Sequence, residues 1–391
     1  MFKNISILTT MCFVIPFLSL AQDDTPSSGG FNLGFQNYGI CFGNSSVHNG
    51  LRFNWSDDGI ETINGLNLTL WRPGEDLSGT VNGLSVGIVA PAAENLNGVN
   101  VGGLAVAARN DLNGISLGSL ATVSLGSATG LNVGGLAVVG KENLSGFNVG
   151  GVACVAGGDL RGISLSSVAL VGKGSITGLN FGGVALVSSG TVTGVNVGGI
   201  AAVGKDALAG INLSGVALVS EGSINGLNVG SVAVVGKENL HGINLSAVAL
   251  VSEGTIQYVN VGGLAVVGMG GISGLTIAAA GIVSKDEISG INLTAGDLRS
   301  DASVKGFNFG GYRIKAREIK GLNLGIISTE AANESGLTTG IYNRATGEQS
   351  GITIGIFNHA TKLFGLQFGL INYAENNPKF LRILPILNLH L

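Results

Sequence analysis

Charge, proline and cysteine are all scarce in this 391-residue chain. Only 11% of residues are charged, the formal net charge is −4, and there are 6 prolines, 4 histidines and 3 cysteines. Few charges beside 45% apolar residues exclude a disordered chain. The near-neutral balance leaves no basic footprint for nucleic acid. Cys12 lies in an apolar leader, so only Cys41 and Cys154 concern the body of the chain. Cys154 stands where neighbouring copies of a repeat carry Val, and both cysteines read as small buried apolar residues rather than a bridge. No proline occurs between Gly98 and Lys305, as expected where each amide is needed for strand pairing.

The leader has Lys3, an apolar run from Ile5 to Leu20, and a small-x-small end at Ser19-Leu20-Ala21. This pattern predicts a secretory signal peptide over residues 1–21, hence export. Cys12 sits inside the apolar run rather than after it, which argues against a lipid-anchored cysteine.

Glycine is what the chain has in excess, 67 residues in all, and it marks a repeat. The phrase GLNVGGLAVVGKENLSG at 130–146 restarts every sixteen residues, with starts from Gly98 and Gly114 through Tyr258 to Gly306. Looser copies begin at Gly65 and Gly83, and tighter ones at Gly321, Gly336, Gly351 and Gly365. After the Gly comes an apolar residue, then Asn or Ser, then an apolar residue, which is a short strand. A small pair such as Gly134-Gly135 follows, then four apolar residues (Leu136-Ala137-Val138-Val139), a polar turn and Leu144. In divergent copies Asp297, Arg299, Arg313 and Lys315 stand in the columns of Ala137 and Val139, so those columns face solvent. The inward set is then expected to be Leu131, Val133, Leu136, Val138 and Leu144. That set changes parity between 133 and 136, which demands a corner at the small pair. Corners in every copy predict an all-β fold, a β-solenoid of about 16-residue coils, with the Asn column stacked as a ladder along one face.

The alternative is an antiparallel outer-membrane β-barrel acting as a pore or anchor. Pairwise alternation of the turns (VGKDAL, VSEGSI, VGKENL, VSEGTI) and the alternating tail at 387–391 favour it. Against it, residues 98–305 hold only Phe147, Phe181 and Tyr258 as aromatics, too few for two interfacial girdles. The expected organisation is a signal peptide at 1–21, an aromatic-rich cap at 22–60, degenerate repeats at 61–97 and regular repeats at 98–305. Shorter repeats follow at 306–377, then a cap or terminal strand at 378–391.

The phrases NGLNLTLW at 64–71, GIFNHATKLFGLQFGLINYAENNP at 355–378 and LRILPILNLHL at 381–391 carry a resemblance. The chain resembles a bacterial family of exported, glycine-rich surface-repeat proteins. The resemblance implies a cell-surface or envelope location and brings no assigned activity and no functional residues. The closing Leu391 departs from the terminal Phe frequent in such tails.

Residues for chemistry are hard to find. His48, His241, His359 and His390 are dispersed and do not cluster with Cys or Asp at ligand spacing, so no metal site and no cofactor is expected. Gly268-Met269-Gly270-Gly271 lacks the Lys-Ser/Thr of a phosphate loop, and the Asp of AGGDLRG at 156–162 does not recur as a calcium-binding turn would. Asp297, Arg299, Arg313, Lys315 and Arg317, in adjacent copies, are the nearest thing to a polysaccharide-active site, and a ladder of surface charges explains them as well. The expectation is a non-enzymatic exported surface or cell-envelope protein, a structural or interaction scaffold with no catalytic residues. Its partner would be an envelope component, a protein or a glycan along the repeat face, with membrane association possible and nucleic acid excluded.

Overall fold

Asn132 and Asn148 stand side by side in neighbouring parallel strands, Ala128–Gly134 and Leu144–Gly150, paired residue for residue at an offset of sixteen. The same offset pairs Ala207–Ser214 with Ser223–Gly230. The short strands behave alike, as in Ala121–Ser124 with Ala137–Gly140. Parallel pairing at one repeat length is a β-solenoid, and the barrel alternative is overturned because its staves would have to run antiparallel. The structure, a computed structural model, describes residues 29–74 and 77–390, so the expected signal peptide lies outside the described residues. It divides into two compact units, one up to Val171 and one over Gly172–Leu391. Both are built from the same coil.

One coil of the second unit shows the construction. Ala207–Ser214 is followed by a bend at Gly215-Val216, a four-residue strand Ala217–Ser220, and a turn at Glu221-Gly222. Bends and turns are laddered too, with Val216 N donating to Ile200 O at 2.9 Å and Gly222 N to Lys205 O at 3.1 Å. At the start of each coil the strand bends at the repeat glycine. From Gly65 to Gly351 its φ lies between +100° (Gly274) and +121° (Gly65), a region that L side chains avoid. A Cβ on Gly130 or Gly210 would also fall well inside contact distance of the carbonyl oxygen of Gly114 or Gly194, one coil earlier. Conformation and space together reserve the column for glycine.

Burial corrects the inward set inferred from sequence. Asn132, Gly134, Val138, Gly140 and Leu144 point in, while Leu131 and Val133 are half-buried on the outside and Leu136 is 53% exposed. Val138 and Leu144 were placed correctly, as were the outward columns of Ala137 and Val139. The physical reason is width. A Cβ at Gly134 would collide with Ala137 O, and one at Gly140 would lie 2.8 Å from Leu144 Cδ2, so a third and fourth branched side chain have no room. The bend is present but one residue later than expected, at Gly135-Leu136.

The core is therefore two apolar columns and a polar one. In the first unit Val106 and Val138 represent one fully buried column and Leu112 and Leu144 the other; in the second, Leu186, Leu218 and Leu250 represent one, and Leu208, Leu240 and Ile272 the other. The Asn ladder, expected on a face, is buried. In the second unit Asn180 donates to Asn196 (2.9 Å), Asn196 to Asn212 (3.0 Å), Asn212 to Asn228, Asn228 to Asn244 and Asn244 to Asn260 (2.9 Å each). Each inner carboxamide of the run accepts from one neighbour and donates to the next, which is what makes a polar column tolerable inside, while Asn180 Oδ1 and Asn260 Nδ2 at its ends have no partner. From Gly306 the period shortens to fifteen, yet Asn308 still donates to Asn323 at 2.8 Å. Near the chain's beginning Gly29–Phe35 pairs antiparallel with Tyr38–Asn44, and near its end Ile383–His390 lies antiparallel to the strand containing Gly365–Tyr373.

Candidate functional site

The most extensive chemical feature of either unit is outward and apolar. At the bend column, Leu104, Leu120, Leu136 and Val152 of the first unit are exposed, as are Ile200, Val216, Val232, Val248 and Leu264 of the second. The column one place after the glycine adds Ile115 and Phe147 in the first unit and Ile211, Ile243 and Ile291 in the second. Because like stacks on like at roughly 4.8 Å per coil, these form continuous apolar stripes rather than scattered residues. Polar side chains gather at the turn, as with Lys141 and Glu142, both exposed.

The charged residues singled out as an enzyme candidate do come together, mainly as ion pairs. Arg313 Nη2 lies 3.1 Å from Asp297, Arg299 is 3.6 Å from Asp301, and Lys315 is 3.2 Å from Glu330. Lys305 binds Glu287 at 2.5 Å, which lowers that carboxyl's pKa and raises the amine's. These are surface pairs, three of them between adjacent coils and Arg299–Asp301 within one, the arrangement of a charge ladder.

Two buried charged sites were missed by sequence reasoning. Arg52 occupies the Asn column in the first unit, paired in register with Asn67. Its Nη1 donates to Asn67 Oδ1 at 2.8 Å and to Asp57 Oδ1 at 2.9 Å, and burial lowers its pKa against the opposing pull of Asp57. Asp57 Oδ1 also accepts from Asn54, Asn67 and Thr69 at 2.8–2.9 Å. The guanidinium thus donates to the first carboxamide oxygen of the column. The visible signal was a charge in register with Asn67.

In the second unit Glu334 takes the place of the inward aliphatic residue, beside Ile319 in register. It is 3% exposed, its Oε1 has no hydrogen-bond partner, and burial pushes its pKa up to about 8. It borders a cavity of about 290 Å³ lined also by Glu318, Lys320 and Glu348. A carboxyl raised in the fold from an unfolded value of 4.5 costs nothing below pH 4.5. The penalty then grows until pH 8 and amounts to about 3 kcal/mol at pH 7. Glu334→Gln is expected to recover that stability at pH 7 and to flatten the dependence between pH 4.5 and 8, read as urea midpoints across that range; equal midpoints for both proteins at pH 7 would refute it.

The histidines stay apart. His48 Nε2 is 3.0 Å from Gly39 O, His241 Nδ1 is 3.2 Å from Asn225 Oδ1, His359 Nε2 is 3.0 Å from Glu375, and His390 Nδ1 is 2.5 Å from Asn377. Among the described residues no group of three or more His, Cys, Asp or Glu is arranged to hold a metal ion. Cys41 and Cys154 are free and buried as expected, and burial pushes the Cys154 thiol up to about 12. Met269–Gly271 forms a turn of the repeat. Asp159 pairs with Arg161 at 2.6 Å. Comparison with protein families, with curated proteins and with solved structures returned no match to this chain.

Proposed function

We propose that this chain is an exported, non-enzymatic scaffold of the bacterial cell envelope, working through contact along its outer stripes. The observation that carries the reading is the inverted coil: carboxamides are buried, while Leu, Ile and Val are stacked outward in successive coils. Contiguous exposed apolar surface marks a protein or membrane contact. Export rests on the leader pattern of residues 1–21 and on the resemblance carried by the repeat and tail phrases.

Replacing Leu104, Leu120, Leu136 and Val152 together by Thr tests this reading, since all four are exposed and Thr keeps strand propensity. The wild-type chain is expected in the envelope fraction, with its mature N-terminus after Ala21, and the variant released into the soluble extract with an unchanged circular dichroism spectrum. An unprocessed cytoplasmic wild type would overturn export. Full envelope retention of the folded variant would overturn the contact surface.

A further inference from the structure

Every copy of the 16-residue phrase from Gly98 to Gly306 opens on glycine except one, and that one opens on Tyr258. Its φ is +79°, in the left-handed region, where a bulky residue is a true outlier. The strain brings no packing in return, because Tyr258 is 63% exposed. Strained backbone that does not serve the core points to a use at the surface. Gly242 and Gly274 pair with Tyr258 in register on either side, so no side chain stands beside the ring along its own column.

Neutral polar groups flank it. His241, one coil earlier, meets the ring edge-on with centroids 6.5 Å apart and holds Asn225 Oδ1 at 3.2 Å through Nδ1. Gln257 precedes Tyr258, half-buried, and donates to Thr255 Oγ1 at 3.4 Å. An exposed aromatic face beside amides and an imidazole, with no carboxylate, ammonium or guanidinium among them, matches a pyranose, which offers C–H groups to the ring and hydroxyls to the polar groups.

We propose that Tyr258, His241, Asn225 and Gln257 form a binding site for a neutral glycan chain lying along the bare glycine track. The site names one partner for the scaffold described above and rests on that reading only for its location in the envelope. The purified chain would be titrated calorimetrically with maltohexaose, cellohexaose, hexa-N-acetylchitohexaose and mannohexaose. At least one is expected to saturate the wild type and to bind Tyr258→Gly at least about tenfold more weakly. The same substitution restores the repeat residue and is expected to raise the melting temperature, so lost binding cannot be lost folding. His241→Ser is expected to weaken the same sugar. No saturation by any of the four, or unchanged affinity in Tyr258→Gly, would overturn the site, and neither result bears on envelope retention.

Discussion

Gly210→Val is expected to cost about 4–5 kcal/mol and to open the chain locally around coils 194–226. Three effects act together. Gly210 sits at φ +103°, and a left-handed conformation costs an L residue about 1–2 kcal/mol, more for a β-branched one. The new Cβ would also overlap Gly194 O, so the strand must move away from its neighbour. Moving it weakens pairing on both sides, since Ala207–Ser214 is bonded in register to Thr191–Gly198 and Ser223–Gly230, at about 1 kcal/mol per hydrogen bond. Tyr258 shows the limit of tolerance: its φ has moved to +79°, closer to the left-handed well, an adjustment a branched Cβ resists. In a stack where each coil contacts its neighbours, the loss should concentrate near the substitution. Hydrogen exchange would read it as lost protection at residues 194–226. A variant exchanging like wild type there, with an unchanged urea midpoint, would mean the glycine column is not clamped.

How much of this was legible in the sequence depended on which physical rule applied. Period, strand character and the existence of a bend followed from spacing and small residues, because stacking forces like residues into columns and a Gly, Ser or Ala at each corner leaves room for the bend. The outward columns of Ala137 and Val139 followed from Asp297, Arg299, Arg313 and Lys315, since an unpaired buried charge is prohibitive. The facing of Leu131 and Leu136 failed because apolar residues were assumed to be inside. That rule is weak for a coil too narrow to hold them, and much of any protein's surface is apolar. The Asn column was placed on a face, although a carboxamide such as Asn212, which accepts from one neighbour and donates to the next, loses little on burial. Glu334 was overlooked although it stands two residues before Gly336, as the inward Leu144 stands two before Gly146; the column was legible, and the charge in it went unread.

Two substitutions in the buried ladder should move stability in opposite directions. Asn212→Ala removes the acceptor of Asn196 Nδ2 and the donor to Asn228 Oδ1, leaving both groups orphaned in the core. Each orphan costs about 1–3 kcal/mol and the lost carboxamide leaves a small void, so the expected loss is about 4 kcal/mol. The ladder is already interrupted in this unit at Thr276. On one side Asn260 Nδ2 lacks a partner, on the other Asn292 Oδ1 does, and Thr276 Oγ1 between them bonds to neither. Thr276→Asn supplies an oxygen to the first and an amide to the second, joining the run that ends at Asn260 to the one from Asn292 through Asn308 to Asn323. A gain of about 2 kcal/mol is expected from two newly satisfied buried groups. Denaturant midpoints of the two variants decide it. If Thr276→Asn destabilises the protein while Asn212→Ala is silent, the buried carboxamides are not what registers one coil on the next.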